Sequence, residues 1–446
     1  LDLLNHIPPG AVVTTLDFQG TGASRELLGR CDAALQGQQP SEVPPEEPQK
    51  KDPDEEIQIC GTQYRAMDIQ GTRFTVPVRM EFVKFLGRGA FGTTTLFKDT
   101  GTGRQVCVKK IGDAFSNMAD ARRMVCELKL LRFFDHDNVA GVLDIFPPLG
   151  VDFDSVYTVH TYMQTDLHRV IRSEQALTEE HHAYFAYQIL RGLLYIHSAG
   201  VAHCDLKPSA ILADMNCNVC ITDFGSARSA VPNSTSTEVE DHPDYVVTRW
   251  YRSPEAMVSA NAFTTTRDIW GAGCILGELM LRRPLFEGCD FRDQFQKIFQ
   301  VLGSPSQDQC AWLPKSSSAM TKYFGSYAKR PWLEVLHGAS NEAVDVLDVM
   351  LTFDPRERIE ALQCLEHRYF ADLHDPDDAP RSSSHFDWGF EHLLATRRSL
   401  QNCVYTECAR LHPEILQRDV ELLGSLGITA LLESHRAEPR DELSKV

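Results

Sequence analysis

His203-Cys204-Asp205-Leu206-Lys207-Pro208-Ser209-Ala210, followed after a short apolar run by Ile221-Thr222-Asp223-Phe224-Gly225, is the stretch whose reading decides the fold. It sets two carboxylates, Asp205 and Asp223, beside one lysine, Lys207. Working towards the amino end, Gly87-Arg88-Gly89-Ala90-Phe91-Gly92 supplies a glycine-rich turn of the kind that lets backbone amides approach phosphates closely. Cys107-Val108-Lys109-Lys110 reads as a short strand carrying Lys109, and Glu127 falls in a helical pattern from Ala121 to Phe133. Each feature alone is ordinary, a turn or a surface charge. Their order along the chain is what makes them a set.

That set resembles a protein kinase. The first stretch is similar to the kinase catalytic loop H-R-D-L-K-P-x-N and the second to the metal-binding D-F-G signature. The resemblance implies an α+β, bilobal fold with a β-rich small lobe and a helical large lobe, and ATP with Mg2+ as cofactors. It implies that Leu86, Gly87, Gly89, Gly92, Thr94, Lys109, Glu127, His160 and Met163 line the ATP site. His160 stands at the gatekeeper position, and Thr161, Tyr162 and Met163 form the hinge. Asp205 takes the substrate hydroxyl, Lys207 and Thr248 face the reacting phosphate, and Asp223 holds the metal.

Further motifs narrow the resemblance to mitogen-activated protein kinases. Thr248-Arg249-Trp250-Tyr251-Arg252-Ser253-Pro254-Glu255 is similar to the end of their activation segment, and Asp268-Ile269-Trp270 to the start of the buried large-lobe helix. The stretch from Tyr187 to His197, together with Leu302-Gly303-Ser304-Pro305-Ser306, agrees. His374-Asp375-Pro376-Asp377-Asp378, Phe386-Asp387-Trp388 and Gln164-Thr165-Asp166-Leu167-His168-Arg169 are most similar to the stress-activated, osmosensing branch. By this resemblance Asp375, Asp377 and Asp378 form an acidic site for the basic docking motifs of substrates, upstream kinases and phosphatases. It covers roughly Tyr64 to Ile415.

The departures matter as much as the matches. The catalytic-loop arginine is replaced by Cys204, and the asparagine that holds one of two magnesium ions by Ala210, which has no oxygen in its side chain. The family's T-x-Y activation triplet is Pro243-Asp244-Tyr245 here, and proline has no hydroxyl to phosphorylate. The three arginines expected to read the phosphothreonine fall at Cys126, Cys204 and Arg228, so two are lost with the residue they would read. The tyrosine half stands: Tyr245, with Arg249 and Arg252 as its expected partners. Decay of an unused gene is the competing account of these losses.

Composition is compatible with this reading. The 446 residues carry a formal net charge of -18, against a general nucleic-acid or anionic-membrane surface. No apolar run reaches the ~20 residues of a membrane span, and no charged-then-apolar leader is visible in the amino-terminal residues, which start at Leu1 without a methionine. The resemblance implies an intracellular protein of cytoplasm and nucleus, and a monomer. The 13 cysteines are then expected as free thiols, with Cys217 and Cys220 packed in a hairpin rather than binding zinc.

The expected organisation is an extension over 1-62, a small lobe over 63-162 with a leading hairpin from Tyr64 to Pro77, and a large lobe over 163-370. A docking extension over 371-415 and a tail over 416-446 complete it. Gln36 to Glu56, rich in Pro, Glu, Gln and Lys, is expected to lack structure. From Glu179 the residues Ala183, Phe185, Ile189, Leu193 and Ile196 mark one apolar helix face, and Phe295 to Leu302 reads as another helix. Two functions remain open: a proline-directed serine/threonine kinase of weakened activity without threonine activation, and a pseudokinase scaffold or decoy that binds basic docking motifs.

Overall fold

The computed structural model describes residues 56–89, 92–230, 249–258, 265–313 and 324–421. Strands β4 (Met80–Gly89), β5 (Gly92–Asp99), β6 (Gln105–Ile111), β7 (Asp144–Ile145) and β8 (Val156–Thr161) form a sheet of order β4-β5-β6-β8-β7. All its neighbours run antiparallel. Before it come β1 (Glu56–Ile59), β2 (Thr62–Ile69) and β3 (Thr72–Pro77), a separate three-stranded sheet. The β2–β3 hairpin is the one read from sequence, with Tyr64 opposite Pro77. Its two-residue turn puts Gln70 and Gly71 at φ 51° and 74°, the left-handed pair that matches strand twist.

Strand β1 was not expected. Glu56, the one described residue of the Gln36 to Glu56 span, opens it, and the rest of that span lies outside the described residues. Ile59 is buried against Tyr64, Phe74 and Val76, so a few apolar side chains after the polar run suffice to add a strand. The expected boundary at residue 62 therefore falls inside this sheet.

Helix α1 (Met118–Phe133) follows β6 and carries Glu127. Asn117 caps it, its side chain accepting from the amides of Ala119 and Asp120 at 2.9 and 3.3 Å. Beyond β8 the chain is mostly helical: α2 (Leu167–Arg172), α3 (Glu179–Ser198), α4 (Pro254–Val258), α5 (Thr266–Leu281), α6 (Phe291–Leu302), α7 (Trp332–Val335), α8 (Asn341–Met350) and α9 (Ala361–Leu365). Short strands β9 (Thr165–Asp166), β10 (Val201–Ala202), β11 (Ile211–Ala213), β12 (Val219–Ile221) and β13 (Arg228–Ser229) lie among them. They frame the loops that hold Asp205 and Asp223.

On α3, Phe185, Ile189, Leu193 and Ile196 are buried as the apolar spacing implied, while Ala183 is half-buried. Helix α6 begins a turn before the expected Phe295, because Asp290 caps the Asp293 amide at 2.8 Å. The large core surrounds Trp270, and Arg358 lies over that ring at 5.1 Å. Arg358 also forms a fully buried two-point pair with Glu255, at 2.6 and 3.0 Å.

Helices α10 (Arg397–Leu411) and α11 (Glu414–Arg418) bring the chain back to the small lobe. They share a core with α1 that includes Met124, Leu128, Val404 and Cys408. The boundary expected after Ile415 falls inside α11. Among the described residues no helix is long and apolar enough to cross a membrane.

Candidate active site

Lys109 sits on β6, its backbone opposite Thr94 of β5 and Thr158 of β8, so the lysine projects from a strand held on both sides. Its Nζ meets Glu127 Oε1 at 3.2 Å. Burial works against the Lys109 charge, yet Glu127, with help from Asp223, holds the ammonium above its ordinary value. Asp223 is thus near the lysine, on the opposite wall of the cleft. Its backbone is left-handed, φ 67° and ψ 58°, a strained state for a residue other than glycine. That turn sends the Phe224 ring into the core against Phe134 and His203, at 5.1 Å from each.

The catalytic-loop stretch is held by Asp268 at the start of α5. Its carboxylate accepts the amides of His203 and Cys204 at 2.8 and 2.9 Å and the His197 ring at 2.9 Å. Although burial opposes the charge, His197, then His203 and the Cys204 amide, keep this carboxyl below the usual range. Cys204 can then take its left-handed φ of 69° while Asp205 points to the cleft. Lys207 Nζ lies 2.5 Å from Asp205 and 3.8 Å from Asp223. Burial pulls the Lys207 charge down, but the two carboxylates raise it above the ordinary value. Arg252 is close enough to press on the same ammonium.

Ala210 ends a short 3-10 turn over Pro208–Ala210 and is fully buried. Its methyl group offers a cation nothing. Asp223, half-exposed and 3.8 Å from Lys207 Nζ, keeps a carboxylate that could serve one hard divalent cation; Ala210, where a second ligand is expected, keeps none.

The other residues expected at the nucleotide lie on β4, on β5, and at or just after the end of β8. Leu86 is the extra residue where the β4–β5 register slips between Phe85 and Gly87, and it is half-buried. A Cβ on Gly92, at φ 137°, would come within 2.2 Å of the Lys110 carbonyl, so only glycine fits there. Gly87 and Gly89 end β4, and Thr94 and Met163 are half-buried on β5 and just after β8. His160 bonds Thr158 Oγ1 at 2.8 Å and the Gly141 carbonyl at 3.3 Å. Burial first, and Lys109 second, push its pKa down to about 4, leaving a neutral ring near Lys109.

Cys126, Cys204 and Arg228 do come together: Arg228 bears on both thiols and Cys204 on Cys126. Burial pushes both thiols up to about 12, which makes them poor nucleophiles. Tyr245 and Thr248 lie outside the described residues; Arg249 and Arg252 stand just beyond, the Arg252 amide bonded to the Arg249 carbonyl at 3.0 Å. Asp375, Asp377 and Asp378 are all exposed, but Asp378 already pairs with Arg191 of α3 at 2.9 Å. Cys217 and Cys220 are buried in the β11–β12 hairpin.

Sequence reading overlooked residues that act from afar. Arg88, within the glycine-rich turn, donates to the Gln70 carbonyl at 3.1 Å and to Thr72 Oγ1 at 2.7 Å, tying that turn to the leading hairpin. Glu407 joins α1 to α10, and Arg122 joins it to the Glu391 carbonyl ahead of α10. No local motif marks such pairs, since their partners lie far away in the chain.

Comparison with known proteins agrees with this geometry. The sequence pattern of the protein kinase domain matches residues 80–370. The chain is 42% identical over 350 residues to mitogen-activated protein kinase 4a of Physcomitrium patens, covering 78% of this chain and 92% of that one. It is 40% identical over 361 residues to mitogen-activated protein kinase 3 of Arabidopsis thaliana, covering 80% and 96%. With mitogen-activated protein kinase 6 of the same plant the identity is 41% over 359 residues, covering 80% and 89%. A cleft that pairs Lys109 with Glu127 and gathers Asp205, Lys207 and Asp223, in a chain matched over this length, belongs to the mitogen-activated protein kinase family.

Proposed function

We propose that this chain transfers the γ-phosphoryl group of ATP to serine or threonine followed by proline in proteins of a stress-signalling cascade, slowly and without a threonine switch. The observation that carries the reading is the assembled cleft. Lys109 is paired with Glu127, and Asp223 bears on Lys109 from the other wall.

Lys109, held by Glu127, would orient the ATP phosphates. Asp205 would accept the proton of the substrate hydroxyl as its oxygen attacks phosphorus and the bond to the β-phosphate oxygen breaks. Lys207, within reach of Asp205 and Asp223, would supply positive charge beside the transferring group, as would Thr248 its hydroxyl. Asp223 would hold one Mg2+, which when bound neutralises charge on the phosphates. Leu86, Thr94, His160 and Met163 would enclose the adenine, and a neutral His160 would narrow the rear of the pocket. Arg249 and Arg252 would receive phosphorylated Tyr245, and Asp375 and Asp377 the basic docking motifs of substrates, upstream kinases and phosphatases. The motifs at His374–Asp378 and Phe386–Trp388 support the stress branch and, with it, a monomer of cytoplasm and nucleus.

A specific observation favours the second reading, a scaffold that occupies docking partners without phosphoryl transfer. Buried Ala210 has no side-chain oxygen for a metal, while exposed Asp375 and Asp377 would still be open to basic docking motifs. Phosphate transfer from radiolabelled ATP to a docking-motif substrate, with Asp205→Ala as the blank, separates the two. Transfer above the blank supports the kinase. Transfer equal to the blank, with docking-peptide binding that disappears in Asp375→Asn/Asp377→Asn, supports the scaffold.

A further inference from the structure

We propose that Glu407 is a positioning residue, a permanent ionic latch that holds α1 in the orientation pairing Glu127 with Lys109, in place of the phosphothreonine contacts this chain has lost. The inference rests on the reading of Lys109 and Glu127 as the pair that orients ATP.

Glu407 lies on α10, with its side chain 1% exposed. It accepts from Lys129 Nζ at 2.5 Å, from Arg132 Nε, and from Arg410 Nη1 at 3.4 Å. Burial alone would raise this carboxyl, but the three cations hold it below its ordinary value. At about 100° of rotation per residue, Lys129 and Arg132 fall roughly 200° and 140° around α1 from Glu127, on the helix's back face. Ions pulling on the back of α1 therefore set its rotation, and with it the direction of Glu127.

The latch is itself anchored. Gln401 of α10 donates to Asp152 Oδ1 at 3.0 Å and to the Phe153 carbonyl at 2.8 Å. His412 meets Asp144 at 2.5 Å, and the Arg418 guanidinium donates to the Pro148 carbonyl at 2.7 Å. A second tie to α1 comes from the same extension: Arg122 donates to the Glu391 carbonyl, and Lys129 lies 5.4 Å from the Phe390 ring centre. The extension thus grips both α1 and the loop between β7 and β8.

The front of α1 lacks the alternative means. With Cys126 and Cys204 in place of two cations, a phosphate beside Arg228 could not gather α1 and the catalytic loop. A latch on the back face needs no modification, so the Lys109–Glu127 pair is built in.

Glu407→Gln in the full chain keeps the side-chain shape and removes the charge. Amide hydrogen exchange across Met118–Phe133 should rise about tenfold or more, and the dissociation constant for MgATP should rise by a similar factor, with exchange in α5 and α8 unchanged. A merely structural role would accelerate exchange throughout or leave ATP affinity alone. Should that variant fail to fold, Arg132→Gln, at a partly exposed position, carries the same test with a smaller expected change. Exchange in α1 equal to wild type in either folded variant overturns the latch. If the unmodified protein binds no MgATP, the reading of the ATP site fails instead, and α1 exchange still decides the latch.

Discussion

Replacing Ala210 with asparagine restores an amide oxygen to the position where the family keeps a metal ligand. The backbone there cannot yield: the Ala210 amide is bonded to the Lys207 carbonyl and its carbonyl to the Thr222 amide, both at 2.9 Å. Since the side chain is fully buried, the added amide must fill space that a methyl group now borders. Such overpacking costs about 1–3 kcal/mol. At roughly 2–4 °C per kcal/mol the metal-free variant should melt several degrees lower. One well-placed electrostatic contact is worth ~3 kcal/mol in the transition state, or ~100-fold in rate. Ala210→Asn should therefore be less stable alone, recover most of that loss with MgATP, and transfer phosphate ~100-fold faster with a second magnesium-dependent phase. Initial rates against a docking-motif substrate over a magnesium series, beside thermal unfolding, test this. A folded variant with the wild-type rate and a single magnesium phase refutes the reasoning and leaves the scaffold standing.

His160 makes stability pH-dependent: its pKa near 4 lies below the ~6.5 of an unfolded chain, so the unfolded state binds the proton more readily. The stabilising effect is whole above pH ~6.5, shrinks as pH falls towards 4, and amounts to at most ~3 kcal/mol. His160→Leu should flatten the stability profile over that window, and an unchanged profile would count against the assignment. Arg358→Met leaves Glu255 buried without its partner and should cost about 3–5 kcal/mol, read as a fall in melting temperature; a loss under 1 kcal/mol contradicts the buried pairing. Alkylation of the native protein at pH 8 should modify exposed Cys289 and spare Cys107, Cys126 and Cys204, whose thiols burial pushes up to about 12. Mass-spectrometric labelling of Cys126 at the rate of Cys289 would show that the front of α1 is open.

The sequence by itself determined the parts whose chemistry is local. Asp205, Lys207 and Asp223 stand in short, fixed spacings, the glycine-rich turn demands glycine where backbones nearly touch, and the period of α3 shows in its apolar residues. Those signals sufficed for the kinase fold and the family. They also exposed Ala210, because a missing oxygen is legible in one letter. Tertiary structure decided what depends on partners distant in the chain. Asp268 holds the loop around Cys204, Glu255 finds Arg358 in the core, and Arg88 ties the glycine-rich turn to a hairpin. Asp378, one of three like acids in sequence, proves to be paired with Arg191. Glu407 is the clearest case: on its own helix it is one more acid among arginines, and only the return of α10 to the small lobe buries it between Lys129 and Arg132. Charge and spacing are written along the chain, whereas burial, which makes a charge strong, exists only once the chain has folded.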